Sequence, residues 1–125
     1  MNEQLERIAT DVVDAAVKLH MALGPGLLES VYTVIMEKKL RERGYFVERE
    51  KPIPVIYEGI HFELGFRADL LINGCFIVEL KSVEILAPVH AKQLLTYLKL
   101  TECRLGMLLN FGEEVMKHGI KRVAN

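Results

Sequence analysis

Three charged residues interrupt an otherwise apolar stretch, FRADLLINGCFIVELKS at residues 66–82: Asp69, Glu79 and Lys81. A charge in a buried strand costs several kcal/mol unless something pairs with it. Two carboxylates on neighbouring strands offer hard oxygen ligands suited to Mg²⁺ or Mn²⁺. Such an ion lowers the pKa of a bound water and polarises a phosphoryl oxygen. A lysine two residues beyond the second acid would orient the attacking water or offset charge building on the phosphate. The competing reading is a buried salt bridge in which Lys81 neutralises one of the acids, and spacing leaves both open.

The turn between the two strands decides which face the charges share. A strict two-residue Asn73-Gly74 turn would set Ile72 opposite Cys75 and Ala68 opposite Glu79, mixing charged and apolar residues on both faces. A three-residue loop, Ile72-Asn73-Gly74, sets Leu71 opposite Cys75 and Arg67 opposite Glu79. Leu70, Phe76, Val78 and Leu80 then form one apolar face, and Asp69, Glu79 and Lys81 project from the other. Burial favours the second arrangement.

Two helical stretches carry further polar candidates. GLLESVY sets Glu29 and Tyr32 three apart, on one helical face. Glu29 also suits the positive end of a helix dipole, a sufficient reason for an acid there. HAKQLLTYL aligns His90, Gln93 and Tyr97 in a stripe beside the apolar Ala91, Leu94, Leu95 and Leu98. Gln93 and Tyr97 could read a phosphate or a base through neutral donors, or simply pack as a polar seam. His90 has no second histidine at ligand spacing, so a helix-start role fits it better than metal ligation.

These residues need elements to hold them. Residues 3–22 carry Leu5, Ile8, Val12, Ala15, Ala16 and Leu19 at helical spacing. Gly24, Pro25 and Gly26 end that helix. A second helix is expected from Leu27 to about Arg43, burying Leu28, Val31, Ile35 and Leu40. Strands follow over FVEREKPIPVIYE, HFELGFRADLLI and CFIVELKS, the first marked as an edge by Pro52 and Pro54. Pro88 opens a third helix ending near Leu100, and RLGMLLNFG reads as a buried strand. The tail EEVMKHGIKRVAN fits either a short helix or an added edge strand. The order is α-α-β-β-β-α-β, an α/β sandwich with helices covering the sheet.

At 125 residues the chain is expected to form one domain, residues 1–125, large enough to bury a core. No apolar run approaches the roughly 20 residues that span a bilayer, and the first residues lack a secretory pattern. Sixteen Lys and Arg against seventeen Asp and Glu give a net charge of −1, without the basic excess of a dedicated duplex binder. Half the residues are apolar, a surplus that suggests an oligomer interface besides the core. Cys75 and Cys103 have neither CxxC nor zinc spacing and are expected to be reduced thiols of a cytoplasmic protein.

Asp69, then Glu79-Leu80-Lys81, then Gln93 and Tyr97 resemble the pattern of the PD-(D/E)XK nuclease superfamily. Gly26-Leu-Leu-Glu29-Ser-Val-Tyr32 resembles the signature of its small GxxExxY family, and LGPGLLESVY, RADLLINGCFIVELKS, PVHAKQLLTYLKLT and GMLLNFG resemble that family's successive blocks. The resemblance implies a restriction-endonuclease-like α-β-β-β-α-β core with a mixed sheet flanked by helices, preceded here by an extra N-terminal helix. It implies Mg²⁺ or Mn²⁺ held by Glu29, Asp69 and Glu79, with Lys81 catalytic and Gln93 aligning the substrate with Tyr97, and with Tyr32 and His90 beside it. Ala68 departs from the proline of the superfamily's name, at a position that shapes the strand and holds no ligand. The expected activity is a metal-dependent phosphodiesterase acting on nucleic acid, DNA first, in a homo-oligomer of two or more chains. The alternative is a catalytically silent interaction or assembly domain on the same fold, targeted by a protein partner.

Overall fold

The computed structural model describes residues 2–125. Helix α1 spans Glu3–Leu23, opened by Asn2, whose side chain accepts from the N–H groups of Gln4 and Leu5 at 2.8 and 3.2 Å. That satisfies two of the donors left free at any helix start. Gly24 ends it with φ +74°, and Gly26 follows at φ +103°, conformations that glycine adopts without strain. Helix α2 runs Glu29–Glu42, strands β1 Val47–Tyr57, β2 Ile60–Ile72 and β3 Phe76–Lys81, helix α3 Pro88–Thr101, and strand β4 Leu105–Asn110. These six elements are the α-β-β-β-α-β core expected from the sequence, with α1 added in front. The ambiguous tail resolves into a short 3₁₀ turn, Met116–Gly119, and an edge strand β5, Ile120–Ala124.

The sheet order is β1-β2-β3-β4-β5, antiparallel throughout except for the parallel β3–β4 pair. One face is covered by α1 and α2, whose Ile8, Val12, Ala16, Met36 and Leu40 pack with Leu70, Ile72, Phe76, Val78 and Leu80. The other is covered by α3, whose Leu94 and Leu98 pack with Ala68, Ile77 and Leu108. All six β4 residues are buried, as a strand covered on both faces must be.

Helix α2 turns a different stripe inward from the one expected. It buries Tyr32, Met36 and Leu40, while Leu28 and Val31 face outward. The Tyr32 ring stacks on Phe111, which follows β4, with centroids 4.3 Å apart, and that contact sets the rotation of the helix. The hairpin also differs from expectation. Cys75 N–H bonds Ile72 C=O at 3.0 Å around a turn with Asn73 and Gly74 at φ +51° and +66°. Ile72 then pairs with Phe76, so the pairing lies two residues from that of an Ile72-Asn73-Gly74 loop. An even shift leaves every side chain on its expected face.

Candidate active site

β2 and β3 pair only through Leu70–Val78, Leu71–Ile77 and Ile72–Phe76. Beyond those pairs, at Asp69 and Glu79, side chains replace the backbone ladder. Asp69 N–H donates to Glu79 Oε2 at 2.8 Å, and Leu80 N–H donates to Asp69 Oδ2 at 2.9 Å. Each carboxylate thus caps the opposite strand. No buried side-chain oxygen lacks a partner among the described residues, so Asp69 Oδ1 and Glu79 Oε1, which accept no bond, reach solvent.

β2 switches faces at the same place. Phe66 and Ala68 pack on the α3 side, whereas Leu70 and Ile72 pack on the α1–α2 side. Across from Asp69, β1 does likewise at Glu50, which has φ +54°, an uncommon backbone conformation for a non-glycine residue. Its neighbours Arg49 and Lys51 pair with Leu70 and Ala68.

Electrostatics follow from this crowding. Burial pushes the Glu79 carboxyl up to about 8, reinforced by the charge of Asp69 and, to a smaller extent, of Glu50, against the opposing pull of the Asp69 amide and Lys81. Glu79 is only 5 % exposed. Burial also raises Asp69, with Glu50 and Glu29 adding to the shift and the Leu80 amide and Lys81 opposing it. Lys81 therefore acts on both acids through space, yet it forms no ion pair with either, and no salt bridge among the described residues includes it. The buried salt bridge left open by the sequence does not form.

The remaining candidates separate. Glu29 is exposed at the first position of α2, close enough for its charge to act on Asp69. Gln93 is exposed on α3, hydrogen-bonded to Tyr97, whose own acidity is weakened by burial and by the charges of Glu79 and Asp69. The Tyr97 ring stacks on Phe66 with centroids 3.8 Å apart and planes 6° from parallel. Tyr32 and His90 make their hydrogen bonds away from the carboxylates. Tyr32 is fully buried, its hydroxyl donating to Gly24 C=O at 2.6 Å and accepting from Leu27 N–H at 3.2 Å. His90 Nδ1 accepts from Ala87 N–H at 3.2 Å, at the start of α3.

Two residues without a signal in the sequence complete the surroundings. Glu50 is the fourth acid, silent because an acid in an edge strand looks ordinary. Asn110, aligned with Lys81 across the β3–β4 pair, is fully buried. It accepts from the N–H groups of Val83 and Gly112, each at 3.0 Å, and donates to Val83 C=O at 2.9 Å. Ser82 Oγ donates to Leu27 C=O at 2.8 Å, tying the end of β3 to the loop before Glu29.

A family model described as the PD-(D/E)XK nuclease superfamily matches residues 6–123. The chain belongs to the PD-(D/E)XK nuclease superfamily. Comparison with curated proteins and with solved structures gives no match. Superfamily members typically use divalent metals. Among the described residues no three or more His, Cys, Asp or Glu side chains stand at ligand spacing, the expected trio of Glu29, Asp69 and Glu79 included. Mg²⁺ is commonly held by one or two carboxylates and otherwise by waters and substrate phosphates, so the pair with its two open oxygens fits it.

Proposed function

We propose that this chain is a Mg²⁺-dependent phosphodiesterase of the GxxExxY family that cuts nucleic acid, DNA first. The observation that carries the reading is the Asp69–Glu79 pair, each acid with one oxygen fixed by backbone and one open, beside a lysine free of ion pairs. Asp69 and Glu79 would hold the ion, and Glu29 would complete its surroundings. The ion would supply an acidified water and polarise the phosphate. Lys81 would stabilise charge developing on the phosphoryl oxygens, while Gln93 and Tyr97 keep the strand in place. Tyr32 contributes at one remove, by holding the loop that presents Glu29.

Single-turnover cleavage of DNA and RNA substrates with Mg²⁺ or Mn²⁺ tests this directly. The wild type should cut, and Lys81→Ala should lose at least about 100-fold in rate, the scale of one removed electrostatic stabiliser. A ligand of the native state raises stability by mass action, so Mg²⁺ should also raise the melting temperature. Neither cleavage nor a Mg²⁺-dependent shift would favour the silent assembly domain instead. Two free cysteines suit a reducing compartment such as the cytoplasm, and no helix among the described residues is long and apolar enough to cross a membrane. Our reading includes a homo-oligomer, seated in the groove of about 570 Å³ lined by Ala9, Val13, Val17, Met107 and Ile120 together with Glu6, Thr10, Asp14 and Arg122. Light scattering would check it.

A further inference from the structure

Glu29 stands apart from the other two acids. It opens α2 exposed to solvent, its charge felt at Asp69 but its carboxylate outside ligand spacing. Leu28, which precedes it, gives α2 no side-chain cap, so the first turn depends on the preceding loop for its position. Three side-chain bonds hold that loop, residues 24–28. Two belong to Tyr32, whose hydroxyl accepts from Leu27 N–H at 3.2 Å and donates to Gly24 C=O at 2.6 Å. These tie the loop to α2 and leave its distance from the sheet unset. The third is Ser82 Oγ, which donates to Leu27 C=O at 2.8 Å. Among the described residues it is the one hydrogen bond joining the loop to the end of the strand that bears Glu79 and Lys81. Ser82 itself lies between two anchored residues. Lys81 C=O accepts from Phe111 N–H at 2.8 Å, and Asn110 holds Val83 by both N–H and C=O, at 3.0 and 2.9 Å. Its hydroxyl is thus mounted on fixed backbone, at a cleft of about 380 Å³ lined by Leu27, Leu28, Glu29, Ser30 and Ser82.

From these bonds we infer that Ser82 is a positioning residue for the metal site: its hydroxyl links the strand that carries Glu79 to the loop that presents Glu29, and so sets the distance between the two. This rests on the nuclease reading above. Groups that orient the side chains around an ion matter to it nearly as much as the ligands do, and removing one commonly costs 10–100-fold in metal affinity. Two other roles are open to a hydroxyl in this place, and each leaves a different mark. A serine that touched the ion itself would matter whether or not Glu29 kept its charge. A serine that only steadied the loop would lower the melting temperature and leave metal affinity alone. Ser30 supplies the control, since it lines the same cleft and its side chain makes no hydrogen bond among the described residues.

The direct readout is Mn²⁺ binding by the full chain, followed by electron paramagnetic resonance with no nucleic acid present, so that affinity is measured apart from cleavage. Ser82→Ala should bind Mn²⁺ about ten-fold more weakly than wild type, and Glu29→Gln should lose a similar factor. In the Glu29→Gln background, Ser82→Ala should have no further effect, because the hydroxyl acts through that carboxylate. Ser82→Thr, which keeps the hydroxyl, should bind as wild type does, and so should Ser30→Ala. In EDTA, Ser82→Ala should melt within about 4 °C of wild type, since the bond it removes is exposed. In cleavage, Ser82→Ala should raise the half-saturating Mg²⁺ concentration about ten-fold and regain most of its rate at saturation, whereas Lys81→Ala should stay slow at every concentration. Unchanged Mn²⁺ affinity in Ser82→Ala, a loss that persists in full once Glu29 is glutamine, or threonine that fails to restore binding would overturn the inference. Mn²⁺ binding and cleavage by wild type, alongside such a result, would leave the nuclease reading standing and remove only the role of Ser82. A wild type that neither binds Mn²⁺ nor cuts would remove both.

Discussion

Glu79 carries the clearest consequence at the level of a single residue. In the metal-free fold its carboxyl is pushed up to about 8, from 4.5 when unperturbed, because burial and Asp69 both disfavour its charge. An acid whose pKa is raised by folding adds its full stability below the unfolded value and loses it as pH climbs through the folded one. The melting temperature in EDTA should therefore fall between about pH 4.5 and 8. Glu79→Gln, which cannot ionise, should flatten that decline and melt roughly 4 °C or more higher at pH 8. Mg²⁺ should oppose the decline in wild type, more strongly as pH rises, since its binding displaces the Glu79 proton. A flat profile in the wild type would show that the carboxylate is charged without penalty. At this scale the sequence was informative where charges broke an apolar pattern, as at Asp69, Glu79 and Lys81. It was silent at Glu50 and Asn110, whose neighbours are set by pairing across strands. It also could not distinguish Tyr32 from Val31 as the inward residue of α2, because both faces of that helix carry apolar residues and only the Phe111 ring selects one.

Among the elements, β3, β4 and the loop after β4 act as one frame. Asn110 engages Val83 through both its N–H and C=O, just past Lys81 and Ser82. Gly112 lies so close that a Cβ there would stand 2.1 Å from Val83 C=O, too short for any side chain without moving backbone. Asn110→Ala should cost about 2–4 kcal/mol, since it strands buried backbone partners, and Gly112→Ala should cost at least as much. Urea unfolding midpoints would measure both, and a loss below about 1 kcal/mol in either would show that the loop repacks freely. The order of elements along the chain was legible because strand and helix periods differ so clearly, and the mixed sheet followed from the family resemblance. The register of the hairpin was legible only to within an even shift, since burial constrains parity and not position. The change of face at Asp69 was hidden altogether: Phe66, Ala68, Leu70 and Ile72 keep an unbroken alternation in the sequence while the strand beneath them turns over.

For the molecule as a whole, stability should be uneven in a particular way. The central strands β3 and β4 are buried almost throughout, whereas residues 54–65 form an arm, a ribbon of two strands with exposed surface on most of its length. A two-stranded ribbon is marginal on its own, and local opening needs little free energy where few apolar contacts hold a segment. Amides of the arm should exchange at least about 100-fold faster than those of β4, read by hydrogen exchange and mass spectrometry. Arm protection equal to that of β4 in the free protein would mean that something already covers it.

The mutual bonds of Asp69 and Glu79 to each other's strand have a practical corollary for anyone mutating this site. Truncating either acid to alanine takes away a proposed ion ligand and also orphans a main-chain donor of the neighbouring strand, so an inactive alanine variant would be inactive for two reasons at once. Asparagine at 69 and glutamine at 79 retain a carbonyl oxygen that can still accept that donor, and only these near-isosteric changes separate chemistry from scaffolding.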